Sequence, residues 1–140
     1  MSVVLVVRRT IQASPARLFA AWTEPQHLTK WWGPPGVACP EAEVDLRVGG
    51  RYRIANRLPD GSTLWIAGEF RQVERPERLV YTWAVGDEEP SLVTVHFRAT
   101  EGATEVIVTH DRIADEATRD EHEQGWLGCL DGLVSFMAPV

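Results

Sequence analysis

Trp31-Trp32-Gly33-Pro34-Pro35-Gly36, followed by Asp45-Leu46-Arg47-Val48-Gly49-Gly50-Arg51-Tyr52, decides how this chain is read. Two adjacent tryptophans carry a large apolar area that must be covered. The prolines and glycines directly behind them end any helix that reaches Trp32. The paired glycines then read as a tight turn into a strand. A tryptophan pair at a helix end is a wall or a lid, and the question is what it faces.

Working upstream, Val3 to Ala13 is β-branched and extended, a first strand. Ser14-Pro15 starts a short helix, with Ser14 as cap and Pro15 at the first helical position. That helix carries Leu18, Phe19 and Trp22. Thr23-Glu24-Pro25 repeats the device, and the second short helix places Leu28 with Trp31 or Trp32 on one face.

Downstream, strands dominate. Glu41, Glu43, Asp45 and Arg47 alternate with Ala42, Val44, Leu46 and Val48, a period of two with one solvated face. Further strands are expected at Arg51 to Arg57, Leu64 to Val73, Leu79 to Trp83, Val93 to Phe97 and Val106 to His110. The turns between them carry Pro59-Asp60-Gly61, Glu74 to Glu77, the acidic Gly86–Pro90 loop and Glu101-Gly102. From about Asp120 to Met137 the period changes. Trp126, Leu127, Leu130, Leu133, Val134 and Met137 form a helical stripe. Gly125, Gly128 and Gly132 weaken that helix intrinsically, so packing must hold it, and they let another backbone approach closely. A mainly antiparallel sheet with one apolar face, covered by one terminal helix, is an α+β domain.

The 140 residues are read as one domain over 1–140, with 44% apolar and 24% charged residues. The net charge of −6 argues against nucleic acid or an anionic membrane surface as partner. Cys39 and Cys129 lack a CxxC partner and read as free thiols in a reducing, cytoplasmic setting. The Val3–Val7 run lacks the features of a signal peptide, and no apolar run is long enough to span a bilayer.

The ordered set Ala13-Ser14-Pro15, Trp22-Thr23-Glu24-Pro25, Trp31-Trp32-Gly33-Pro34 and Asp45 to Gly50 resembles the homologues of the activator of the heat shock protein 90 ATPase. So do Pro76 to Trp83, Thr104 to His110 and Gly125-Trp126. These homologues belong to the SRPBCC superfamily, beside START domains and the birch pollen allergen fold. The resemblance runs from about Val7 to Leu133. It implies a helix-grip fold: a curved antiparallel sheet of about seven strands wrapped around a long C-terminal helix, with two short helices after the first strand. It also implies a cavity for hydrophobic or amphipathic small molecules. The eponymous co-chaperone carries an additional N-terminal domain for which this chain has no room, so interaction with heat shock protein 90 is not expected.

Candidate ligand-binding residues are Trp31, Trp32, Tyr81, Trp83 and His110. An apolar wall with a few polar groups suits a small-molecule site, while core packing is the alternative for each aromatic. His110, on the face of Val106 and Val108, is the one weak catalytic candidate; as a buried histidine satisfied by a neighbour it would be inert. Asp111 points to the opposite face. His27, His96 and His122 are scattered and expected to be exposed. No metal and no cofactor is expected. Arg53 is expected on a solvated face with Arg51 and Arg57, Arg9 faces cavity or solvent, and Glu69 is a candidate buried carboxylate. No nucleophile elbow, phosphate loop, dinucleotide fingerprint or HExxH occurs.

The leading expectation is a cytoplasmic binding protein for a hydrophobic or aromatic small molecule held between sheet and helix. The alternatives are an enzyme of the same fold (cyclase, dehydratase or hydrolase) using His110, and a co-chaperone-like interaction domain. Homodimerisation is left open.

Overall fold

A computed structural model describes residues 2–138. The outer ends of the domain expected over 1–140, Met1, Pro139 and Val140, lie outside the described residues. The elements are β1 (Val3–Ile11), α1 (Pro15–Thr23), α2 (Pro25–Trp31), β2 (Ala42–Val44), β3 (Arg51–Arg57), β4 (Thr63–Glu74), β5 (Arg78–Val85), β6 (Ser91–Thr100), β7 (Ala103–Ile113) and α3 (Glu116–Met137). The seven strands form one sheet in the order β1-β7-β6-β5-β4-β3-β2, antiparallel at every pairing. β2 to β7 run as a meander, and β1 closes back on β7. The sheet is curved, and α3 packs against β1, β7 and α2. No helix among the described residues is long and apolar enough to cross a membrane.

Strand alternation places the core. Leu79, Tyr81 and Trp83 of β5, Val93, Val95 and Phe97 of β6, and Val106, Val108 and His110 of β7 are all buried. α1 begins where Ser14 accepts a hydrogen bond from the Arg17 N–H at 3.2 Å, with Pro15 opening the helix. The second start differs from expectation. Glu24 holds the cap position without a side-chain cap bond, and the Thr23 hydroxyl turns back to the Phe19 carbonyl at 2.8 Å.

α3 starts four residues earlier than the stripe suggests, because Asp115 accepts from the Thr118 N–H at 2.8 Å and caps it. Its buried residues are Trp126, Cys129, Leu130, Leu133 and Met137. Leu127, expected in the stripe, is 40% exposed, so the packed face is turned toward Cys129. Gly132 and Gly128 do bring backbones together. A Cβ on Gly132 would lie 2.6 Å from the Trp31 carbonyl oxygen, and one on Gly128 would lie 2.5 Å from the Pro34 Cβ. The Trp31–Pro34 corner is thereby seated directly on α3.

The alternating run Glu41 to Val48 yields only the three-residue strand β2. The chain closes a turn early: the Asp45 N–H donates to the Arg51 carbonyl and the Gly50 N–H to the Arg47 carbonyl. The side-chain alternation persists as far as Leu46, with Ala42, Val44 and Leu46 half-buried and their acidic or basic neighbours exposed, but Val48, expected on the same face, is exposed where the chain turns.

Candidate functional site

The two short helices, β5 and α3 set five tryptophans into one buried cluster. Trp22 stacks on Trp126 with ring centroids 6.0 Å apart, and Trp31 and Trp32 pack at 5.1 and 6.3 Å from Trp22. Trp32 and Trp83 each approach Trp126, at 5.6 and 5.1 Å. A buried indole needs an acceptor for its N–H. Trp22 donates to the Tyr81 hydroxyl, Trp31 to the Ala21 carbonyl, Trp32 to Asn56 Oδ1 and Trp126 to His110 Nδ1, all at 2.9–3.1 Å. Trp83 is the exception: its Nε1–H is buried and has no partner among the described residues.

Trp83 lines a cavity of about 280 Å³ between α3 and the sheet. Trp32, Ile66, Trp126 and Cys129 form its buried wall, and Leu64, Glu88 and Glu121 lie at its exposed rim. Asn56 also borders it, but its groups are engaged. Its Oδ1 takes the Trp32 N–H, and its Nδ2 donates to the Ile54 and Leu64 carbonyls, both at 3.3 Å. Cys129 is a packed thiol, pushed up to about 12 by burial, not a nucleophile. Burial likewise raises Cys39.

His110 sits behind the cavity wall. Its ring lies 5.4 Å from Trp83 and its Nε2 lies 2.6 Å from Ser91 Oγ. The Trp126 indole can only donate, so Nδ1 must be the bare nitrogen and Nε2 must carry the proton. His110 therefore donates to Ser91, whose hydroxyl donates on to the Trp83 carbonyl at 3.3 Å. A serine beside an imidazole resembles a nucleophile and its base, but here the tautomer runs the wrong way for the imidazole to take the serine proton. Burial, and secondarily His122, hold His110 at about 3, so it is neutral at physiological pH.

His122 was expected to be exposed, and the structure corrects this. It is half-buried at the cavity rim and stacks on His110 with centroids 4.8 Å apart. Its place was legible: His122 precedes Trp126 by four residues, one helical turn on the same face. Burial lowers its proton affinity, against the opposing pull of Glu88 and Glu121. Its Nε2 is 3.9 Å from Glu88 Oε2.

The match to the model of the activator of Hsp90 ATPase homolog 1-like proteins spans residues 12–138. The chain belongs to that family. A Chromobacterium violaceum protein of solved structure shares 24% identity and a TM-score of 0.90, over 98% of this chain and 98% of that one. The AHSA1 protein of Silicibacter pomeroyi shares 26% identity and a TM-score of 0.86, over 95% of this chain and 96% of that one. A Rhodobacter sphaeroides protein shares 27% identity and a TM-score of 0.83, over 94% and 90%. No curated protein matches the chain.

Within this family fold, the five residues singled out in the sequence separate into groups. Trp32 and Trp83 line the cavity. His110 stands one layer behind it, bonded to Trp126. Trp31 does not line it: its indole is buried against Trp22 and Trp32, and the residue borders a wider, more polar groove formed with the Gly33–Pro40 loop. Tyr81 borders only a gap of about 20 Å³ on the far side of Trp22, and burial pushes its hydroxyl up. Trp126, Ile66, Leu64, Glu88 and Glu121 were not singled out as site residues, since they are contributed by the far strands, the β5–β6 turn and α3. Arg53 is exposed, pairs with Glu43 and lies over the Trp65 ring at 4.4 Å. Arg9 pairs with Asp131 of α3. Glu69 is not a buried carboxylate; it is partly exposed, 3.7 Å from Arg71. Among the described residues no three His, Cys, Asp or Glu side chains cluster as a metal ion would require.

Proposed function

We propose that this chain, acting as one cytoplasmic domain, binds an apolar aromatic small molecule in the cavity between α3 and the sheet. The observation that carries the reading is the cavity itself, about 280 Å³ between α3 and the sheet, walled by the indoles of Trp32, Trp83 and Trp126 with Ile66 and Cys129. The volume of about 280 Å³ is roughly twice the ~150 Å³ that accommodates one benzene ring. A body of about two fused rings fits. Binding is favoured over catalysis because His110, the sole catalytic candidate, has both nitrogens committed to Ser91 and Trp126.

The test is calorimetric titration with bicyclic aromatics in the native protein and in Trp83→Ala. Saturable binding is expected, with affinity about fivefold or more lower in the variant, which loses one indole of the wall. Absence of saturable binding by every compound overturns the reading.

A further inference from the structure

The charges around the cavity are one-sided. Glu88, from the β5–β6 turn, and Glu121, from α3, both line it, and no arginine or lysine does. Among the described residues Glu121 makes no ion pair, and the partner of Glu88 is His122. His122 is neutral near pH 7 because burial lowers its proton affinity, so it leaves the carboxylate charge uncancelled. Asp87 and Glu89, exposed in the same turn, add to the negative field. Arg112 lines an adjoining depression with Glu88 and Glu89 rather than the cavity. Behind the rim stand three indoles, Trp32, Trp83 and Trp126. Aromatic surface beneath a carboxylate rim suits a cation and penalises an anion.

We propose that the cavity selects ligands whose aromatic body carries a protonated amine, with the rings against Trp32, Trp83 and Trp126 and the ammonium at the rim between Glu88 and Glu121. The inference rests on the cavity being the binding site. It adds that fatty-acid-like and other carboxylate ligands are discriminated against. The two glutamates come from different elements, a turn of the sheet and the helix, and both lie near enough to His122 to oppose the loss of its proton. Neither carboxylate is buried, so the amine gains a screened attraction without the desolvation cost of a buried pair.

Three probes on one ring body separate charge from shape: naphthylethylamine, naphthylethanol and naphthylacetate. Calorimetry at low salt is expected to rank them amine, alcohol, carboxylate, with about tenfold between first and last. Two exposed carboxylate contacts supply a few-fold each. Adding salt should compress the series. The double variant Glu88→Gln, Glu121→Gln should bring the amine and the carboxylate to within about twofold of each other. Both residues lie at the surface, and a thermal melt checks that the variant is folded. If the alcohol binds and the amine gains nothing over it, or the carboxylate binds best, the charge inference is overturned while the cavity reading stands. If none of the three binds, the cavity reading falls and this inference falls with it.

Discussion

Acid should destabilise this protein well above the range in which carboxylates titrate, and His110 should be the main cause. Its imidazole is fully buried and accepts the Trp126 N–H at Nδ1. A second proton would have to go on that nitrogen, breaking the bond and placing a charge beside His122. The folded protein thus holds His110 at about 3, against an ordinary value of 6.5 in the unfolded chain. Because the folded value is depressed, the contribution is complete above pH 6.5 and is lost as pH falls toward 3. The unfolded state takes up a proton over that window and the native state does not. Between pH 7.5 and 5 the loss from this one group is ~2 kcal/mol. Urea unfolding across that range measures it. In His110→Gln, whose amide can donate to Ser91 without titrating, the profile should be flatter by about that amount. His122 and the carboxylates stay in both proteins, so their share cancels in the difference. Parallel pH profiles for the two would refute the assignment of His110 as a neutral, locked histidine.

The helix glycines should respond oppositely to alanine. Gly125→Ala meets nothing within 4 Å and should stabilise by up to about 1 kcal/mol through helix propensity, whereas Gly132→Ala drives a Cβ to 2.6 Å from the Trp31 carbonyl and should destabilise despite the same propensity gain; paired thermal melts decide the sign. Leu130, 1% exposed under the sheet, should cost about 2–5 kcal/mol when cut to alanine, read from the urea midpoint. Gly68→Ala should be among the most damaging changes in the sheet, because its Cβ would lie 1.9 Å from the Thr82 carbonyl oxygen; a loss of the native near-ultraviolet tryptophan signal would report it.

The order of strands and helices was legible because its signals are local. Ser14-Pro15 caps α1 whatever lies elsewhere, and the alternation in β5, β6 and β7 needs only the two-residue period of a strand. The change of period at Trp126 announces α3 in the same way. Local reading failed where a neighbour intervened. Glu41 to Val48 alternates like a long strand, but the turn onto Arg51 takes its backbone bonds and leaves three residues paired. His122 read as one of several scattered histidines, and only its distance from Trp126 along a helix pointed inward.

The sequence by itself determined the elements, their burial alternation and the family fold. It also determined that several tryptophans must share a core, since their area is too large to leave wet. Which of them face a cavity was decided by tertiary structure alone. Trp31 and Trp32 are adjacent in sequence, yet α2 ends between them, so one indole bonds to Ala21 and the other reaches Asn56 across the sheet. The tautomer of His110 depends on an indole sixteen residues away. The rim charge depends on a turn and a helix that meet only when the sheet curls around α3. Hydrogen-bond partnership and convergence are properties of position in space, and side-chain spacing along a chain carries them only within a single element.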